Sequence, residues 1–159
     1  MKILIAAVGK LKERYLRDAI AEYTKRLAPF ADVVIKEIAE ARLSREPTMA
    51  QINAAIADEG ERLLKIVPPT AYLIALDLHG TMLSSEDFAA KIAAVTTYEK
   101  SAFAFAIGGA FGIADCITQK ADLRLALSPM TFTHQMARLL LIEQIYRAFK
   151  INAHEKYHW

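Results

Sequence analysis

Two six-residue runs, Ala71-Tyr72-Leu73-Ile74-Ala75-Leu76 and Ala102-Phe103-Ala104-Phe105-Ala106-Ile107, are apolar at every position. A strand with one wet side alternates, so strands without alternation need cover on both faces. That requirement points to a sheet sandwiched between helices. Leu123 to Leu127 reads as a third central strand, and Lys2 to Val8 as a further buried one. Asp32 to Ile38 alternates in part, which suits an edge.

Helical periodicity fills the intervals. Lys12 to Leu27 puts Tyr15, Leu16, Ala19, Ile20, Tyr23 and Leu27 on one face, with Lys12, Arg14, Arg17, Lys25 and Arg26 on the other. Met49 to Ile66 is a second helix, weakened by Gly60 and stopped by Pro68-Pro69. Ser84 and Asp87 have capping-box spacing and open a third, to about Tyr98. Strand then helix, five times over, predicts an α/β fold: one domain over 1–159 with a largely parallel sheet flanked by helices. In such a sheet the ends at Asp77, Gly108 and Ser128 open on one edge, where their loops make a single pocket.

The sequence excludes several classes. No stretch approaches the ~18 to 20 uninterrupted apolar residues of a membrane span, and the start reads as a strand rather than a signal peptide, so a cytoplasmic protein without membrane contact is expected. The single cysteine, Cys116, excludes an intrachain disulfide and reads as a small core residue. His79, His134, His154 and His158 are too scattered for a metal spacing, so no metal is expected. Gly108-Gly109-Ala110-Phe111-Gly112 can approach a ligand closely, but it matches neither a dinucleotide fingerprint nor a P-loop. Residues 1–30 carry seven Lys/Arg against three acids, 31–128 nine against thirteen, and 129–159 four against two. Basic ends permit a nucleic-acid surface.

Ionisable and aromatic residues concentrate at the end of the chain. Leu127 to Thr133 leads into a helix from His134 to about Phe149, with Ala137, Leu139, Leu141, Ile142, Ile145, Tyr146, Ala148 and Phe149 on an unusually wide apolar arc. Such an arc needs two packing partners, or a dimer interface. Glu143 and Arg147 on the opposite face are spaced for an ion pair. Arg138 sits within the arc, where an unpaired charge is costly. It is either half of a structural salt bridge or an anion contact beside the pocket.

These segments carry a resemblance. Ala7-Val8-Gly9-Lys10-Leu11-Lys12, the strand ending Leu76-Asp77, Ile107 to Gly112, Leu127 to Gln135, and Leu141 to Phe149 through Tyr157-His158 resemble the RlmH family over essentially the whole chain. That family comprises bacterial 23S ribosomal RNA pseudouridine N3-methyltransferases of the SPOUT superfamily. The resemblance implies a C-terminal trefoil knot, S-adenosylmethionine as methyl donor, a homodimer, and a pseudouridine in helix 69 of the large ribosomal subunit as target.

Carried over by position, it places the cofactor on Leu76, Gly108, Leu127, Ser128, Pro129, Met130, Thr131 and Phe132. His134, Arg138, Tyr157 and His158 are the candidate catalytic residues, because N3 must lose a proton and a base or cation would favour the anion. Two positions depart from the family: Thr133 stands where proline is usual, and Trp159 where a basic residue is usual. Thr133 could loosen the loop entering the last helix or cap that helix, and Trp159 could stack on RNA in place of a phosphate contact. Two rival readings are a non-catalytic RNA-binding module of the same fold and an α/β enzyme for a small nucleotide.

Overall fold

A computed structural model describes residues 1–157. Five strands, β1 (Lys2–Val8), β2 (Asp32–Ile38), β3 (Tyr72–Met82), β4 (Ala102–Ile107) and β5 (Leu123–Ala126), alternate with five helices. The helices are α1 (Arg14–Leu27), α2 (Met49–Ile66), α3 (Ser85–Tyr98), α4 (Asp115–Lys120) and α5 (His134–Asn152). The order across the sheet is β2-β1-β4-β3-β5, and every pairing is parallel. His158 and Trp159, including the expected roles of both, lie outside the described residues.

The uninterrupted apolar runs are covered on both faces, as their composition requires. One face presents Ile3, Ile5, Tyr72, Ile74, Phe103 and Phe105 to Ile20, Leu27, Phe88, Ile92, Leu141 and Ile145 of α1, α3 and α5. The other presents Leu4, Ala6, Ala75, Ala104 and Ala106 to Leu63 and Ile117 of α2 and α4. Alternating Phe and Ala along β4 therefore gives one bulky face and one flat face, and the flat one lets helices pack closely. Gly60 has the same use: a Cβ there would stand 2.3 Å from Ala114 Cβ and 2.7 Å from Cys116 Sγ, so its small size admits the α4 segment. Cys116 itself is only half-buried.

One expectation is corrected and another is met. β5 is an edge strand bonded to β3 alone, not a central one; its exposed Arg124 interrupts the apolar pattern. Along the wide arc of α5, α1 and α3 bury Leu141, Ile142, Ile145 and Ala148 completely. These are the two packing partners expected for the arc, on which Ala137, Leu139, Tyr146 and Phe149 stay half-buried.

Candidate methyl-donor cleft

β4, β3 and β5 are neighbours, so their carboxyl-end loops meet on one edge of the sheet, as parallel strands demand. Each loop has its own local cause. After β4, Gly109 and Gly112 form an antiparallel bridge that folds the glycine loop on itself. A Cβ on Gly108 would stand 2.1 Å from the Gly112 carbonyl oxygen, and Gly112 has φ +106°, so neither position accepts a side chain without strain.

β3 does not stop at Leu76. It bulges outward over residues 77–80 and rejoins β5, so that Leu76 and Thr81 both pair with Leu125. Gly80 permits this, since its Cβ would be 2.6 Å from the Arg124 carbonyl carbon. Asp77 fastens the bulge to β5 through an ion pair with Arg124 Nη2 at 2.6 Å. Burial acts to raise the Asp77 carboxyl, but the His79 amide and Arg124 together hold it below its ordinary range.

After β5, the Ser128 hydroxyl accepts from the Met130 amide at 3.0 Å and shapes the loop. Thr133 then caps α5, its hydroxyl accepting from the Met136 amide at 3.2 Å. Of the two outcomes open for this residue, the structure shows the cap.

Together with the start of α1, these loops enclose a cleft of about 970 Å³. Leu76, Gly108, Leu127, Ser128, Met130, Thr131 and Phe132 line it, as does His134; Pro129, Arg138 and Tyr157 do not. Its rim is apolar and open to solvent, with Tyr15 65%, Leu78 54%, Phe111 53% and Met130 73% exposed. Its lining contains the acids Glu13 and Asp77 but no Lys or Arg. Such a wall disfavours a polyphosphate and suits a nucleoside group that carries positive charge.

Residues 1–158 match the family model described as "Predicted SPOUT methyltransferase". The chain belongs to the SPOUT methyltransferase family. Curated relatives include ribosomal RNA large subunit methyltransferase H of Carboxydothermus hydrogenoformans, 45% identical over 158 residues, and that of Bifidobacterium animalis subsp. lactis, 48% identical over 159; each match covers 99% of both chains. Among solved structures, a probable methylase family protein from Haemophilus influenzae Rd KW20 shares the fold with TM-score 0.50 at 14% identity, covering 96% of this chain and 66% of that one.

The candidate catalytic residues of this SPOUT methyltransferase are not gathered in one place. His134 opens α5 at the cleft wall; its Nε2 is buried without a hydrogen-bond partner among the described residues and lies 3.6 Å from Glu40 Oε1. Burial lowers its pKa; Glu40 opposes this, while Arg138 and Lys12 reinforce it. The ring is therefore neutral near pH 7.

Arg138, one turn further along, is completely buried. Nη1 pairs with the Glu37 carboxylate, and Nη2 donates to the Gly9 carbonyl at 3.0 Å. This is the salt-bridge arrangement weighed from the sequence, and no atom of the guanidinium reaches the cleft.

Tyr157 packs at the other end of α5. Its hydroxyl donates to Glu143 at 3.1 Å, its ring lies edge-on to Tyr146 with centroids 4.8 Å apart, and Arg147 covers its face at 4.8 Å. Burial, then the Tyr23 hydroxyl and the Glu143 charge, push its pKa up, so the phenol keeps its proton. Nine helical steps from His134 to Glu143 separate this cluster from the cleft by ~13 Å along the axis.

Glu37, Gln135, Glu13 and Tyr15 join the site without having been singled out from the sequence. Gln135 accepts from the Lys12 amide at 2.9 Å, and Glu37 from the Leu11 amide at 3.2 Å. Partners so distant in sequence leave no local pattern.

Proposed function

We propose that this SPOUT methyltransferase is a cytoplasmic homodimer that transfers a methyl group from S-adenosylmethionine to N3 of a pseudouridine in helix 69 of 23S ribosomal RNA. Full-length relatives named ribosomal RNA large subunit methyltransferase H support the substrate class. The observation that carries the cofactor assignment is the cleft lining: apolar side chains and glycine backbone, with Glu13 and Asp77 and no Lys or Arg. A trefoil knot through the three cleft loops belongs to the same proposal.

When bound, S-adenosylmethionine supplies a methyl group already activated by its sulfonium. The chain's own task is then positioning and water exclusion. In this reading Leu76, Leu127, Met130 and Phe132 enclose the adenosine, and the backbone from Leu127 through Pro129 to Phe132 reads its polar edge. Glu13 favours cationic charge nearby, whereas the Asp77 carboxylate is already compensated by Arg124. His134 is the base candidate, because its ring lines the cleft and is neutral. Arg138 serves as a positioning residue that fixes the helix carrying His134.

Tyr157 and the cleft stand at opposite ends of α5, and a homodimer that sets one chain's tail beside the other chain's cleft would unite them. The exposed apolar rim at Tyr15, Leu78, Phe111 and Met130 supports such an interface. The test is incubation of methyl-labelled S-adenosylmethionine with ribosomes from cells lacking this enzyme. Label in large-subunit RNA supports the proposal; label only in added free nucleosides, or none, overturns it.

A further inference from the structure

The segment from Gly9 to Arg17 connects β1 to α1 beside the cleft and carries Lys10, Lys12, Arg14 and Arg17 against the single acid Glu13. Lys10 and Lys12 are exposed, yet the backbone that carries them is held at nearly every residue. The Gly9 amide donates to Ile38 O at 2.8 Å, and the Gly9 carbonyl accepts from buried Arg138 at 3.0 Å. The Leu11 amide donates to Glu37 and the Lys12 amide to Gln135. From α1, Arg17 Nη1 reaches back to the carbonyls of Leu11 at 3.0 Å and Lys12 at 2.8 Å.

The cations of the segment divide into two kinds. Arg17 serves the loop's own backbone, and Arg14 faces Asp18 at 3.6 Å. Among the described residues neither Lys10 nor Lys12 has an ion-pair partner. Glu37 and Glu40 are otherwise engaged, the first with Arg138 and the Leu11 amide and the second against His134, while Glu13 faces the cleft. The position is set by Gln135, which lines the cleft and holds Lys12 at its rim.

We propose that the Gly9–Lys12 loop is a preorganised phosphate contact, with Lys10 and Lys12 gripping the ribose-phosphate backbone of the RNA that flanks the target nucleotide. This rests on the reading of the protein as an RNA methyltransferase. The cleft lining contains no Lys or Arg, so the phosphates of the substrate need cations at its rim. Lysines on a fixed loop lose less freedom on binding than lysines on a mobile one. Phosphate contacts position a substrate without reading sequence, so their loss weakens binding more than turnover.

The experiment measures methyl transfer to ribosomes from cells lacking the enzyme, over a range of salt, with wild type, Lys10→Gln/Lys12→Gln, Lys10→Arg/Lys12→Arg and Lys2→Gln/Lys65→Gln. Lys2 and Lys65 lie toward the opposite edge of the sheet and control for net charge. The Gln pair at the loop should raise KM about tenfold and flatten the slope of log KM against log salt by about 1.5, with kcat and S-adenosylmethionine affinity unchanged. The Arg pair and the distal pair should match wild type. An unchanged salt slope in the loop Gln variant, or an equal change in the distal pair, overturns the inference while leaving the methyltransferase reading intact. Failure of wild type itself to methylate ribosomes overturns both.

Discussion

Arg138 and Glu37 lie 101 residues apart and form an ion pair whose guanidinium is entirely buried. The pair ties the first turn of α5 to the end of β2, and the same Arg138 holds Gly9 at the end of β1. Glu37 is exposed and water can solvate it, so truncating Arg138 costs chiefly its buried side chain and its charge-assisted hydrogen bonds, about 2 kcal/mol. Arg138→Ala should therefore lower the denaturant midpoint and methyl transfer together. Arg138→Lys should not restore either, since one ammonium cannot span Glu37 and Gly9 as a planar fork does. Lost transfer with unchanged stability would instead give Arg138 a direct role at the substrate.

His134 makes stability depend on pH. Burial holds its folded pKa below the unfolded value, so the unfolded chain binds the extra proton first. Its contribution is complete above the unfolded value, ~6.5, and is lost as pH falls through the folded one. Urea midpoints taken from pH 7.5 down to pH 5 should fall less steeply for His134→Gln than for wild type. Parallel slopes would remove His134 from this account.

Thr133 stands at a position whose φ of −60° proline could also adopt. Thr133→Ala should lose about 1 kcal/mol with the cap. Thr133→Pro loses the same hydrogen bond but stiffens the unfolded chain, so thermal melts should place it between Ala and wild type.

Gly108→Ala meets backbone rather than a movable side chain, because Gly112 O is only 2.1 Å from the added carbon. The glycine loop must open to accommodate it. Calorimetry should show at least a tenfold loss of S-adenosylmethionine affinity, about 1.4 kcal/mol or more. Unaltered binding would move the cofactor away from this loop.

Much of the fold was legible because local patterns sufficed. The unbroken apolar runs required two covered faces, and the α2 and α3 periodicities, with their capping and stopping residues, marked those helices. β5 was misplaced as central because Leu123, Leu125 and Leu127 look buried, while one exposed arginine is a weak signal of an edge. The β3 bulge was invisible, since Asp77 to Gly80 reads as an ordinary strand-end turn unless its pairing with β5 is known. At the site, the cleft loops followed from parallel topology. The Arg138–Glu37–Gly9 network did not, because each partner is one of many charged or glycine residues and only the folded chain joins them.

The central claim is tested most directly by the modified nucleoside itself. Ribosomes from cells lacking this enzyme are incubated with the purified protein and S-adenosylmethionine, and the helix 69 fragment of the large-subunit RNA is digested and analysed by mass spectrometry. The account predicts N3-methylated pseudouridine in that fragment only when both protein and cofactor are present. Unmodified pseudouridine there, or a methyl group on another atom, would contradict it.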